Sequence, residues 1–311
     1  MNPTIQSVLV LGAGAVGGFY GARLAQIGLQ VSFVCRSNFE AIATKGLQIR
    51  SYQGDFSITP EQVVQDTKDY QGKPDLLVIA TKVVPGNDLT DQIAPLVHPG
   101  LTILLIQNGI EVEAPIAEAF PAVPLLSAIA FVGVTRTAPG QIHHQLRGDL
   151  EIGSFGPGQF DSALKRVLTA FESTGLKIRG SQDIVKSRWV KLLWNAAFNP
   201  LSVLGQADTQ RILELPGSEA QIRAIMGEVM ALAEAAGKPL DPQLAEKNIA
   251  ATYKMPPYKT SMLVDFEAHR PLETEAILGK PIKIAHRLGI AVPRLELLEA
   301  LLHLLADQKR G

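Results

Sequence analysis

The chain has little cysteine, no excess of either charge and no long apolar run, and each lack closes off a class of protein. Its one cysteine, Cys35, can form neither an internal disulfide nor a thiolate metal cluster. That fits a reducing compartment and makes the cytoplasm the expected location. Lys and Arg together number 29 against 30 Asp and Glu, so no global field draws the chain to nucleic acid or to an anionic membrane. Any anion site has to be local. No stretch approaches the roughly 18 apolar residues that span a bilayer, and Leu101 to Ile106 reads as a short buried strand. The N-terminus is apolar, but Met1 to Val8 carries no Lys or Arg and glycines interrupt the residues after it. A strand and turn are expected there rather than a leader. His143 and His144 fall in a predicted hairpin without a third ligand and are expected on its surface, not on a metal. There is no internal repeat and no low-complexity tract.

The residues present describe a compact globular protein, 46% hydrophobic and 19% charged. At 311 residues two domains are expected, over 1–181 and 182–311. In the first, short β-rich runs alternate with helical stretches, the pattern of a parallel sheet with helices on both faces. Val8–Leu11, Val31–Cys35, Leu76–Ala80 and Ile103–Ile106 are the clearest strands. Leu47–Thr59 reads as an inserted hairpin around Gln53, Gly54 and Asp55. Leu125–Phe155 reads as strands turning at Pro139 and Gly140, and Asp161–Thr174 as an amphipathic helix. After about Ser181 the β runs stop. Helices are expected over Asp183–Phe198, Ser218–Ala236, Pro242–Tyr253, Thr260–His269, Glu273–Leu288 and Pro293–Leu305, an all-helical second domain.

Gly12-Ala13-Gly14-Ala15-Val16-Gly17 follows the first strand and opens a helix, the context a dinucleotide-binding turn requires. The first glycine permits the tight turn, the second lets pyrophosphate approach the backbone, and the third lets helix and strand pack closely. Amides at the helix N-terminus then hold the anion. The bland alternative is a glycine-rich turn without ligand. About 20 residues on, where an acidic residue would bind a free ribose 2′-hydroxyl, the chain has Arg36. A guanidinium there favours a 2′-phosphate, hence NADPH over NADH, unless Arg36 is a solvated surface residue. Lys82 and Asn108 end two further strands, on the edge where open α/β sheets bind ligands. Lys82 would lie toward the adenosine and Asn108 toward the nicotinamide, or either could serve only to solvate a loop.

The stretch from Arg188 to Asn199 is apolar on nearly every side, which implies burial. Yet Lys191, Asn195 and Asn199 recur at i, i+4 and i+8, one polar stripe down the helix. Buried ammonium and amide groups need partners. One reading is a structural network in which Lys191 pairs with a carboxylate. The other makes Lys191 a general acid, because a ketone attacked by hydride develops alkoxide character and needs a proton nearby. Partial burial would lower the lysine pKa and suit it to that role. Pro200 cannot donate to the carbonyl of Ala196, which adds to the suspicion of a site. Glu273, opening a helix after Pro271, is the candidate carboxylate, and simple capping by Glu273 or Glu275 is the alternative.

These residues resemble the ketopantoate reductase family over essentially the whole length. Four blocks carry the likeness: Gly12 to Gly17; Gln107-Asn108-Gly109; Lys191 to Leu201; and Ser261 to Asp265 followed by Arg270-Pro271-Leu272-Glu273. The resemblance implies a Rossmann-type domain followed by a helical domain like that of 6-phosphogluconate dehydrogenase. It also implies NADPH/NADP+ as cofactor and reduction of 2-dehydropantoate to pantoate, a step of pantothenate biosynthesis. Lys191 matches the proton donor, and Glu273 the glutamate that helps hold the bound ligands. Asn108, Asn195, Asn199 and Ser261 match the residues lining the substrate pocket. Arg36 and Lys82 match positive positions near the adenosine phosphate. The expected partner is a small 2-oxo acid, with a homodimer left open. The chain departs from the family pattern at Glu275, where an aspartate is common, and at Leu278, where an asparagine is common. Both bear on substrate identity. The nearest alternative is a D-2-hydroxyacid dehydrogenase acting on another branched 2-oxo acid. An alternative of another class is a silent NADPH-binding sensor, for which Lys191 would be unnecessary.

Overall fold

A computed structural model describes residues 4–84, 86, 88–156 and 160–308. The chain divides into two compact units, the first comprising 1–82, 87–107 and 113–184, the second 83–86, 108–112 and 185–311. The second unit thus takes two short loops from within the N-terminal half as well as the C-terminal run.

The first unit is built on a ten-stranded sheet. Its strands are β1 (Ser7–Leu11), β2 (Gln30–Val34), β3 (Leu47–Ser51), β4 (Phe56–Ile58), β5 (Val63–Val64), β6 (Leu76–Ile79), β7 (Thr102–Leu105), β8 (Leu125–Ala138), β9 (Gln141–Ser154) and β10 (Ile178–Gly180). In space they run β4, β3, β9, β8, β7, β6, β1, β2, β5, with β10 beside β9. From β8 across to β5 the pairing is parallel. The long β8–β9 hairpin is antiparallel, as is the short β3–β4 hairpin at the sheet edge, so the sheet as a whole is mixed. Strands β6 and β7 are buried along their length, the mark of strands covered on both faces. Helix α1 (Ala15–Gln26) packs close to the sheet because Gly18 and Gly21 present no side chain. A Cβ at Gly21 would lie 2.7 Å from the Phe33 ring, and one at Gly18 would strike Ile142. Helices α2 (Phe39–Lys45), α3 (Leu89–Ile93), α4 (Ala114–Ala119) and α5 (Asp161–Glu172) complete the unit.

His144 corrects one expectation. His143 is exposed, but His144 is fully buried, its ring tilted against those of Phe19 and Tyr52 with centroids 4.2 Å and 5.0 Å away. Its Nε2 donates to Arg147 O at 2.6 Å and its Nδ1 accepts from Ser51 Oγ at 2.9 Å. A carbonyl can only accept, so the neutral Nε2–H tautomer satisfies both bonds. Burial lowers its pKa, and His144 therefore works as a core residue.

The second unit is helical: α6 (Ile184–Gly205), α7 (Thr209–Glu214), α8 (Ser218–Ala235), α9 (Leu244–Tyr253), α10 (Ser261–Glu267), a π-turn at Glu275–Gly279, α11 (Lys280–Leu288) and α12 (Pro293–Gln308). Helix α6 is its axis, with Trp189, Leu192, Leu193, Ala196, Ala197 and Phe198 all buried. It runs past the expected end at Phe198 and through Pro200. Proline removes only one ladder bond here, and the buried Ser202 and Val203 carry the helix on. The buried Glu228 caps α12, accepting from Arg294 N at 3.0 Å and Leu295 N at 3.1 Å, which also sets a carboxylate against the positive helix end. Among the described residues no helix is long and apolar enough to cross a membrane.

Candidate cofactor and proton-donor sites

In the first unit the glycine turn has the geometry its sequence demands. Gly12 sits at φ +100°, and a Cβ there would lie 2.9 Å from Thr81 Cγ2, so the turn from β1 into α1 admits only glycine. Gly17 is as constrained, since a Cβ would strike Gly12 O and come within 2.9 Å of Ala80. Gly14 differs: beyond its own chain neighbours and helix backbone, no described residue lies within 4 Å of where its Cβ would be. It is the N-cap of α1 with no side-chain cap, and the first turn holds no acidic residue. Uncapped amides, open space and a positive helix end suit a pyrophosphate. Ala13, Ala15 and Val16 fill the turn between these glycines.

The neighbouring strand ends are tied to this turn. Gln107, after β7, donates Nε2 to Thr81 O at 2.7 Å and lies near its hydroxyl at 3.3 Å. Asn38, buried after β2, donates Nδ2 to Ala13 O at 2.6 Å. Sequence reasoning missed Gln107, Asn38 and Thr81 as supports of the turn. Arg36 is exposed at the end of β2 and Lys82 half-buried at the end of β6, on the strand edge where a dinucleotide lies.

In the second unit α6 carries the polar stripe. Asn195 and Asn199 are 7% and 3% exposed. Asn199 Oδ1 is enclosed and has no hydrogen-bond partner among the described residues, an unusual cost for a buried amide. Lys191 is partly exposed as a residue, but its ammonium end is enclosed by protein. Burial brings its pKa from 10.5 down to about 8, with the Arg188 charge pushing the same way and Glu273 opposing.

Arg188, not singled out from sequence, is 2% exposed and donates Nη1 to Gly109 O at 2.9 Å. Gly109, at φ +95°, lies so close to the π-turn that a Cβ would be 2.6 Å from Ala276 O. Glu273, just before that turn, accepts from Val83 N at 3.1 Å. Lys191 feels the Glu273 charge, and Arg188 and the π-turn both meet Gly109, the residue after Asn108. The signal for Arg188 was present, since an arginine one turn before Lys191 on an apolar helix needs its own partner. The carboxylate of Glu273 reaches the Val83 amide across the fold, while Glu275 pairs with Lys283 at 2.6 Å. Leu278 is fully buried in the helical core. Ser261 is exposed at the start of α10, where Thr260 provides the cap.

Fold and sites together define a class: a dinucleotide-binding Rossmann-type unit joined to a helical unit carrying an enclosed lysine. Residues 8–157 match the family model for ketopantoate reductase PanE/ApbA and residues 183–306 that for its C-terminal domain. The chain is 32% identical to a 2-dehydropantoate 2-reductase of Nostoc sp., with 97% of this chain and 95% of that protein covered. It is 46% identical to the crystal structure of 2-dehydropantoate 2-reductase from Methylococcus capsulatus, at a TM-score of 0.89 with 98% of each chain covered. A D-mandelate dehydrogenase solved with NADH and anilino(oxo)acetate aligns at a TM-score of 0.88 and 22% identity over 98% of this chain and 100% of that one, a likeness of fold alone. The chain belongs to the ketopantoate reductase family, a family of pyridine-nucleotide oxidoreductases.

Proposed function

We propose that this protein reduces the C2 ketone of 2-dehydropantoate with NADPH, giving pantoate. The observation that carries the reading is Lys191: an enclosed ammonium with its pKa near 8, in a stripe with buried Asn195 and with Asn199, whose Oδ1 lacks a partner among the described residues. A purely structural network would satisfy that oxygen, whereas a substrate pocket leaves it for a ligand donor such as a hydroxyl.

The turn Gly12 to Gly17 would hold the pyrophosphate, Arg36 the 2′-phosphate, and Lys82 the adenosine end. When bound, the dinucleotide supplies a hydride to C2. Lys191 gives its proton to the ketone oxygen as negative charge develops there, so one hydride and one proton complete the alcohol. A donor with pKa near 8 is mostly protonated at neutral pH yet releases its proton more readily than an ordinary lysine. Glu273 favours the charged ammonium and accepts from Val83 N. Asn108, Asn195, Asn199 and Ser261 orient the carboxylate and hydroxyl of the substrate.

The test is NADPH oxidation by the purified protein with 2-dehydropantoate, 2-oxoisovalerate and benzoylformate in parallel. The proposal expects kcat/KM to be highest for 2-dehydropantoate. Preference for benzoylformate would assign a D-2-hydroxyacid dehydrogenase instead, and no turnover with any 2-oxo acid would leave only the NADPH-binding sensor.

A further inference from the structure

The loop after β2 meets a cation besides its own Arg36. Arg136 lies near the end of β8, and its Nη1 donates to Ser37 Oγ at 3.0 Å and to Asn38 Oδ1 at 3.2 Å. The fold aims it there. The β8–β9 register slips between Arg136 and Ala138, leaving Thr137 as an extra residue, and such bulges bend a strand and redirect its side chains. The hairpin tip is pinned as well. Gly140 O accepts from Gln48 N at 2.9 Å, and a Cβ at Gly140 would touch Ala41 of α2 at 3.5 Å. Helix α2 begins directly after the Arg36 loop, so the tip and the loop are held side by side.

Asn38 turns this contact into a relay. One end of its amide accepts from Arg136 and the other donates to Ala13 O in the glycine turn. The guanidinium therefore braces the ribose-recognition loop against the pyrophosphate turn. The charge matters too. A phosphate monoester carries about −1.5 to −2 at neutral pH, more than one guanidinium neutralises. Asp66 stands in the same field: its carboxyl is held below the usual range chiefly by the Lys68 amide, and it feels Arg36 among weaker influences. A dianion beside that carboxylate calls for a second cation.

We infer that Arg136 is a second determinant of the 2′-phosphate, a positioning residue that fixes Ser37 and Asn38 beside Arg36 and adds its charge to the anion's surroundings. The inference rests on the NADPH reading above and deepens it. It is tested without turnover, by titrating the full-length protein with 2′,5′-ADP and with 5′-AMP, which differ in the 2′-phosphate. The wild type should prefer 2′,5′-ADP. Arg136→Gln should weaken 2′,5′-ADP about tenfold, the low end for a charge-assisted contact, and leave 5′-AMP within about twofold. Arg136→Lys keeps the charge but not the fork, and should recover part of the loss. The 2′,5′-ADP advantage should also fall less steeply with salt in Arg136→Gln. Equal weakening of both probes would mean that Arg136 only shapes the glycine turn, and would overturn the inference. So would an Arg136→Gln variant that keeps the full wild-type preference. A wild type that binds both probes equally would instead remove the 2′-phosphate reading, and this inference with it.

Discussion

Replacing Lys191 by methionine removes the ammonium but keeps an unbranched apolar stem of similar length. A fall in pKa from 10.5 to about 8, at about 1.4 kcal/mol per unit, corresponds to roughly 3 kcal/mol. The depressed value means the folded protein binds fewer protons than the unfolded chain between those limits. The native ammonium therefore costs that full amount below pH 8, the cost shrinks as pH rises through the window, and it is gone above 10.5. Lys191→Met should thus be more stable than wild type by about 1 to 3 kcal/mol at pH 7, with the gain fading toward pH 10.5. Urea unfolding read by tryptophan fluorescence is the assay. Both tryptophans of the chain, Trp189 and Trp194, lie on α6, so the signal reports the unit that holds the lysine. The same variant should lose roughly a hundredfold to ten-thousandfold in kcat. If it instead lost several kcal/mol of stability, Lys191 would be a structural partner of a buried carboxylate. Normal turnover would move the proton donor elsewhere.

Other outcomes rest on the same geometry. Wild-type reduction should fall as pH rises through about 8, where Lys191 gives up its proton, and Glu273→Gln should move that limb to lower pH, because the carboxylate supports the ammonium; an unmoved limb in the pH–rate profile would separate the two groups. The same Glu273→Gln should raise KM less than Glu273→Ala, since the amide oxygen can still accept from Val83 N. Arg36→Asp should weaken NADPH by about 1.5 to 3 kcal/mol while sparing NADH, and an unchanged preference in direct binding would make Arg36 surface decoration. Stability should fall as pH drops below 6.5, because His144 is held neutral in the fold and its pKa is lowered. His144→Gln, which can still donate to Arg147 O, should lose that part of the acid sensitivity in melting curves; an unchanged acid slope would count against it.

The parts of the protein set by local pattern were legible in the sequence. Apolar runs gave β1, β6 and β7, and the glycine spacing gave the turn into α1, because each is dictated by a few adjacent residues. The stripe of Lys191, Asn195 and Asn199 was legible through helical period alone. His144 was misread although the signal was there: it shares a strand face with the buried Ile142, which period two implies. The end of α6 was placed short, at Phe198, whereas buried residues beyond Pro200 outweigh one missing bond and carry the helix on to Gly205. The supports of the site were not legible for another reason. Arg136 meets Asn38, and Glu273 meets Val83, only through pairings far apart in the chain, and no local pattern encodes a partner at such a distance.

Hydride transfer from NADPH to C2 of 2-dehydropantoate is the step on which the proposed function turns. Turnover with NADPH deuterated at C4 of the nicotinamide, on the face that is transferred, tests it most directly, with the product read by mass spectrometry and proton NMR. The proposed function predicts pantoate carrying one deuteron at C2 and none elsewhere, formed as fast as cofactor is consumed apart from a primary isotope effect. Pantoate without deuterium at C2, or cofactor oxidised with no pantoate formed, would contradict it.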